Sequence, residues 1–240
     1  MSDISTPPTP LSEEELDALR AWDTPTVCNA LEVAVPHRRG FGYTVKPLLC
    51  AFPELPPMVG YARTARIRAL QPNAEPAADA KARRFNYFDY VAAAPGPGIM
   101  VIEDLDPSPG AGAFWGEVQT NVHKALGCAG GVTNGSIRDL DAMAEGFQML
   151  AGCLSPSHAW VHLLDFGGEV NVAGMTVRSG DLIHADRHGA VVIPHEVARE
   201  IVPAAEMLAR REAVILKAAR AKDFTVESLK KAIGDSEEIH

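Results

Sequence analysis

Gly98-Ile99-Met100-Val101-Ile102 is a short apolar run bounded by turn formers, and it reads as a buried strand. An acidic turn, Glu103-Asp104-Leu105-Asp106, and a loop rich in Gly and Pro come next. Residues 116–129 then carry apolar positions at 118, 122, 125, 126 and 129, the stripe of a helix. Gly130-Gly131 is expected to end that helix before a short strand reaching Thr133. A helix over about 139–146 and a strand over 147–153 follow. Further short strands fit 159–164, 170–172, 175–178, 181–185 and 190–193, with a hairpin turning at Ala173-Gly174. Upstream, the pattern from Gly60 (YARTARIRAL) is strand-like, and a helix is expected across 76–94. Strand–helix alternation that gives way to hairpins predicts an α/β layered domain with a mixed sheet.

Residues 1–11 are rich in Pro, Thr and Ser and read as a loose arm, with 12–240 forming one domain. Ser12 followed by Glu15 is a capping box that opens a helix to about Trp22. Thr24-Pro25 starts a second helix through Leu31. The stretch 36–58 holds five prolines and no clear period, so it reads as irregular. Such segments often shape a site or an interface. A long helix from about 195 to 221 and a short one from Thr225 to Ile233 close the chain.

With 240 residues the chain suits one decorated domain. Its 47% hydrophobic and 22% charged content excludes a disordered chain and a fibre. No stretch approaches about eighteen uncharged apolar residues, so no membrane span is expected. The start, MSDISTPPTPLSEEELD, lacks a basic and an apolar region, so no secretion signal is expected and the location reads as cytoplasmic. A net charge of −9 argues against a nucleic-acid partner. The late cations Arg210, Arg211, Lys217, Arg220 and Lys222 read as a solvated helix face. Four scattered cysteines without CxxC read as reduced thiols.

Glycine signatures for dinucleotides or phosphates, the GxSxG elbow and HExxH are all absent. Gly110, Gly112 and Gly116 surround Trp115; they read either as a flexible turn or as a loop whose amides hold an anion. Glu117 falls in a first helical turn, where the dipole alone favours a carboxylate. Arg138-Asp139 follows the turn Asn134-Gly135-Ser136 and reads either as a cap with its ion pair or as a site. These positions lie at strand ends and helix starts, where α/β ligand sites form. Arginine binds carboxylates bidentately, and aspartate holds hard cations. His184-x-Asp186-x-His188 is a candidate zinc set in an extended strand, although Asp186-Arg187-His188-Gly189 also looks like a hairpin turn. His123, His158 and His162 read first as structural; His158 or His162 beside a cleft would serve as acid or base.

Gly116-Glu117, then twenty residues, then Arg138-Asp139 resembles the signature of the RraA-like family. That family includes 4-hydroxy-4-methyl-2-oxoglutarate aldolases and the regulators of ribonuclease activity. Thr24–Leu31, Gly131–Asp139, Gly168–Val172 and Ser179–Pro194 are also similar to it, and the likeness spans about 20–215. The resemblance implies a compact α/β domain of the swivelling phosphohistidine-domain kind. It also implies a homotrimer, sometimes paired into a hexamer, with active sites between subunits. In the aldolases a divalent cation, Mg²⁺ or Mn²⁺, is held by the Asp of Arg-Asp and by waters. By carry-over Asp139 is the ligand, Glu117 holds a water, and Glu212 is the neighbouring subunit's carboxylate. Arg138 and amides from about Gly112, Ala113, Phe114 and Trp115 would hold the pyruvate moiety.

The implied activity is metal-dependent retro-aldol cleavage of 4-hydroxy-2-oxo acids, releasing pyruvate. The metal and Arg138 would stabilise charge on the enolate, and a water held by Glu117 would take the 4-hydroxyl proton. No lysine is placed for a Schiff base. Oxaloacetate decarboxylation passes through the same enolate. The alternative is a non-catalytic regulator that docks on a ribonuclease or helicase. A methyltransferase label that the family once carried finds no glycine-rich cofactor loop here. Three departures bear on substrate choice: Asn134 where many aldolases have Asp, the His- and Trp-bearing run Ser155–His162, and a long Pro-rich region 36–58.

Overall fold

A computed structural model describes residues 9–239; the arm expected over residues 1–11 therefore lies mostly outside the described residues. Two helices come first, α1 (Glu13–Arg20) and α2 (Thr24–Ala34). The first part of the sheet follows as β1 (Leu49–Cys50), β2 (Met58–Arg68), α3 (Ala77–Ala92) and β3 (Gly98–Asp104). Then come β4 (Ala113–Trp115), α4 (Glu117–Ala125), β5 (Cys128–Thr133), β6 (Ser136–Ile137), β7 (Gln148–Ala151) and β8 (Cys153–Leu154). The remainder is β9 (His162–Phe166), β10 (Val170–Val172), β11 (Met175–Val177), β12 (Leu182–Asp186), β13 (Gly189–Ile193), α5 (Ile201–Ala219) and α6 (Val226–Glu237).

The main sheet runs β1-β7-β5-β3-β2-β12-β13, with β9 also pairing β2. Its centre, β7-β5-β3-β2, is parallel, and β1, β9, β12 and β13 pair antiparallel. This is the mixed α/β architecture that the strand–helix alternation predicts. β3 has one apolar set on each face: Ile99 and Val101 pack in one core cluster, Met100 and Ile102 in another. Strand residues alternate sides, so a continuous apolar run is what a strand covered on both faces needs. α1, α2 and α5 pack a third cluster against Val59, Tyr61, Leu182 and Ile193.

The Pro-rich segment 36–58 joins the two ends of this sheet. Near its start, the N–H of Thr44 donates to the Ala190 carbonyl, that of Val192 donates to the Gly42 carbonyl, and Tyr43 bridges Val191 of β13. Farther along, Leu49 and Cys50 form β1 on the edge of β7, and the Ala51 N–H donates to Met149. The sheet curls, and this one irregular segment pairs with both of its edges.

Several local expectations differ from the structure: the strand expected over 159–164 runs His162–Phe166, the helix expected from about 195 opens as a 3-10 segment before Ile201, and three further differences bear on the sheets. Gly130-Gly131 does not stop a helix: α4 ends at Ala125, and both glycines lie inside β5. A Cβ on Gly130 would sit 2.4 Å from the Gln148 carbonyl oxygen and 2.5 Å from Met58 Sδ, so strand packing requires glycine there. The helix expected over 139–146 is a single 3-10 turn, Leu140–Ala142, because the Ala144 N–H donates to Thr120 Oγ1 rather than up its own helix. The strand expected over 147–153 splits at Gly152, whose N–H donates to Gly135. β7 stays in the main sheet, while β8 joins a second, parallel sheet, β4-β6-β8.

Among the described residues no helix is long and apolar enough to cross a membrane. All four cysteines are free, and burial pushes the Cys28 and Cys128 thiols up to about 11 and 12.

Candidate active site

The small sheet assembles the site. β4 and β6 run parallel, with Ala113 opposite Ser136 and Trp115 opposite Ile137. Each strand runs straight into a candidate residue. The Arg138 N–H donates to the Trp115 carbonyl at 3.0 Å, which brings Gly116-Glu117 against Arg138-Asp139 across the twenty-residue spacing. The Glu117 N–H donates to Asp139 Oδ2 at 3.3 Å, and Arg138 Nε lies 3.4 Å from the same oxygen. Gly116 stands at the N-cap of α4 without a side-chain cap. That helix start therefore sets its positive end, with the Glu117 N–H, beside Asp139. Asp139 itself is left-handed (φ 58, ψ 40), a conformation that costs a non-glycine residue about 1–2 kcal/mol. Strain of this kind gathers at functional sites.

The acidic turn after β3 supports this sheet and takes no part in the cavity. Asp104 accepts from the N–H groups of Asp106 and Gly110, and burial raises its pKa. Asp106 Oδ2 accepts from Ala69 and Leu70. Asn134 Oδ1 accepts from the Asp104 N–H at 2.8 Å, and its Nδ2 donates to the Asp104 carbonyl at 3.0 Å. It is a side-chain rung between the adjacent ends of parallel strands β3 and β5 and lies off the cavity lining. Aspartate there would have no proton to donate and would add charge beside a buried acid.

Gly116, Glu117, Arg138 and Asp139 face a cavity of about 610 Å³. Of the residues expected to hold pyruvate, Ala113 and Phe114 line it, whereas Gly112 and Trp115 do not. The Ala113 N–H is already committed to the Ser157 carbonyl, and the Trp115 side chain is buried. Glu212, on α5, is exposed and lies off this cavity. His158 and His162 line it, as the sequence allowed.

The opposite wall comes from α3, which sequence reasoning missed. Ala77, Ala80, Lys81, Arg84, Tyr87 and Phe88 line the cavity at spacings of one helical stripe. Two cations on a stripe with small and aromatic residues were the available signal, and by charge alone they look like an ordinary solvated face. Lys81 is the lysine the sequence reading left out; its Nζ lies over the Phe85 ring, 5.5 Å from the centroid.

Beneath the cavity, His123 ties α3 to α4. Its Nδ1 donates to the Gln119 carbonyl at 2.7 Å, and its Nε2 accepts from the Tyr87 hydroxyl at 2.7 Å. Trp115 packs edge-on against the ring at 4.7 Å. Burial drives the His123 pKa down to about 4. The folded state thus binds its proton less readily than the unfolded chain, whose histidine titrates near about 6.5. Stability is therefore full above that value and falls as pH drops toward 4, by an amount on the order of 3 kcal/mol. His184, lowered by burial, acts in the same direction. The melting temperature of His123→Gln should fall less steeply than wild type between pH 7 and 4; parallel curves would refute the assignment.

The zinc candidate is taken up by structure. His184 Nδ1 pairs with Thr24 Oγ1 at 3.0 Å, and its Nε2 faces the Leu19 and Trp22 carbonyls. Asp186 accepts from the N–H groups of Thr24 and His188, which closes the β12–β13 turn. Among the described residues no cluster of three or more His, Cys, Asp or Glu is arranged to hold a metal.

Fold and site together define a mixed α/β protein with an acid–arginine–acid set at the ends of parallel strands. The chain belongs to the RraA-like family (Aldolase/RraA), which matches residues 24–192. Among solved structures it is similar to an uncharacterized protein from Pseudomonas syringae pv. tomato str. DC3000. That likeness has 23% identity and a TM-score of 0.69, covering 93% of this chain and 98% of that one. It is also similar to Streptomyces coelicolor RraAS2, described as an unusual member of the RNase ES inhibitor RraA family. There the identity is 24% and the TM-score 0.65, covering 86% of this chain and 98% of that one. A third structure, described as novel cellulases from gut-associated microbes, gives 19% identity and a TM-score of 0.69, covering 88% and 90%. These likenesses show the fold. Among curated proteins none matches the chain.

Proposed function

We propose that this protein is a divalent-metal-dependent lyase that cleaves 4-hydroxy-2-oxo acids and releases pyruvate, with oxaloacetate decarboxylation as a second reaction. The observation that carries this reading is the convergence of Glu117, Arg138 and Asp139 on one cavity. The regulator reading, by contrast, has only the shared fold behind it, and fold does not assign function.

The donors suit Mg²⁺ or Mn²⁺. They are two carboxylates with no thiol or imidazole among them, and hard cations prefer oxygen. Mg²⁺ keeps several waters and needs few protein ligands, so two acids suffice from one chain. Asp139 would hold the cation directly and Glu117 through water. The third carboxylate of this reading is Glu212 of a neighbouring copy in a homotrimer. When bound, the cation supplies Lewis acidity toward the 2-oxo group. Arg138 offers a planar fork for the substrate carboxylate, and its contact with Asp139 keeps that fork at the cavity wall. The spare N–H groups at the start of α4 add positive potential where negative charge develops. Phe88, Phe114, Val161 and Leu163 give the cavity apolar walls.

Pyruvate release from 4-hydroxy-4-methyl-2-oxoglutarate and from oxaloacetate, followed by coupled lactate dehydrogenase, tests the reading. Release that depends on Mg²⁺ or Mn²⁺ and stops with chelator is expected. No release with any divalent metal would remove the proposal.

Gly116 provides a finer test. A Cβ there would lie 2.6 Å from Asp139 Oδ2 and 3.2 Å from Arg138 Cγ. Both are side-chain atoms, so Gly116→Ala should fold and melt near wild type while displacing the pair. A misplacement of about 1 Å costs up to roughly 100-fold in turnover. Turnover equal to wild type would show that the Gly116 contact does not matter.

A further inference from the structure

We propose that His162 is the proton carrier of the carbon–carbon cleavage: its imidazole takes the 4-hydroxyl proton and then delivers it to C3. This inference rests on the lyase reading and moves the base from a Glu117-held water to a side chain. The imidazoles near the cavity differ in whether a ring nitrogen is free and in how far they are buried. His123 has both nitrogens committed. Like His162, His158 holds its Nδ1 on a carbonyl, that of Ala159, but it sits on an exposed loop where water competes for its other nitrogen. His162 starts β9, is half-buried and lines the cavity. Its Nδ1 lies 2.7 Å from the Trp160 carbonyl, which makes Nδ1 the protonated nitrogen. Nε2 is then an unprotonated acceptor with no partner among the described residues. Holding one ring nitrogen on a carbonyl fixes the tautomer and leaves the other as a base.

The charged groups around it are named by element. Arg68 faces His162 in the β2–β9 register, and Arg83 on α3 donates to the Leu163 carbonyl while pairing with Glu75. Lys81 and Arg84 on α3, Glu117 on α4, and Arg138, Asp139 and His158 share the cavity lining.

The proton balance separates the two reactions of this site. In retro-aldol cleavage the O–H proton at C4 passes to Nε2, a carbonyl forms at C4, and the C3–C4 bond pair goes to C3. The proton on Nε2 then moves to C3, giving pyruvate and neutral imidazole. Oxaloacetate has no hydroxyl proton to remove. Its C3–C4 bond pair goes to C3 as carbon dioxide leaves, and solvent can supply the proton.

The test is His162→Gln in the full-length protein with Mg²⁺, assayed for both reactions across pH. Retro-aldol turnover should fall by about 100- to 10,000-fold. Its acid-side pH limb should vanish, while carbon dioxide release from oxaloacetate stays near wild type. In His162→Ala, added imidazole should restore part of the cleavage. The assignment is overturned if both reactions fall together, if neither falls, or if His158→Gln gives the same split. A wild-type protein that releases no pyruvate overturns the lyase reading itself, a failure seen before any variant is made.

Discussion

Asp139→Asn should fold and melt like wild type and yet lose divalent-dependent pyruvate release. The backbone at 139 is left-handed, and asparagine is among the few non-glycine residues that enter this region readily. The substitution therefore isolates the charge. It leaves an amide where the proposed cation would need a hard anionic ligand, and it weakens the hold on Arg138 Nε, now 3.4 Å from Oδ2. Losing one such electrostatic group costs about 100- to 1,000-fold in turnover. Arg138→Ala should cost as much, through loss of the carboxylate fork. Asp139→Ala adds a different effect, since alanine pays the left-handed cost of about 1–2 kcal/mol without a polar side chain. A thermal melt beside the pyruvate assay separates the two. Undiminished turnover in Asp139→Asn would sink the site assignment.

Gly60→Ala should have the largest effect on folding. Gly60 lies in β2, and an added Cβ would stand 2.1 Å from the Pro97 carbonyl oxygen and 3.2 Å from Ile99 Cγ1. The oxygen is backbone and accepts from the Tyr61 N–H at 2.9 Å. Relief means moving β3 away from β2 at the centre of the sheet. Overpacking of this kind typically costs about 1–3 kcal/mol. For a chain of this size each kcal/mol lowers the melting point by about 2–4 °C. Gly234→Ala is the matched control: its Cβ meets nothing within 4 Å, and it lies inside α6. Alanine there should raise stability by about 0.5–1 kcal/mol. Melting curves of the two variants should shift in opposite directions; a Gly60→Ala protein as stable as wild type would contradict the packing account.

What the sequence revealed was mostly local or periodic. The run Ile99–Ile102 marks its strand because both faces are covered. Ser12 and Glu15 mark the start of α1 because the cap is closed within four residues, with reciprocal bonds of 3.2 and 2.7 Å. Gly130-Gly131 misled because a glycine chosen for close strand approach looks like a helix stop. Gly152 was unreadable for a similar reason: the strand changes sheets there through a main-chain bond to Gly135. At the site, the spacing of Glu117, Arg138 and Asp139 was legible as a signature, while the β4–β6 pairing that brings them together was not. Lys81 and Arg84 stayed hidden because only the folded cavity distinguishes them from solvated charges. Asn134 drew attention as a charge change, yet its work is to hold the Asp104 backbone.

The Pro-rich segment has a consequence for behaviour in concentrated solution. An open sheet edge of apolar strands, here Gln148–Ala151 on one side and Gly189–Ile193 on the other, is a template for strand addition by a second molecule. Residues 42–44 and 49–51 occupy both edges with short pairings. Pro47, Pro53, Pro56 and Pro57 interrupt the same segment, and proline cannot donate to a further strand. The least regular part of the chain thus guards its most regular part against edge-to-edge aggregation.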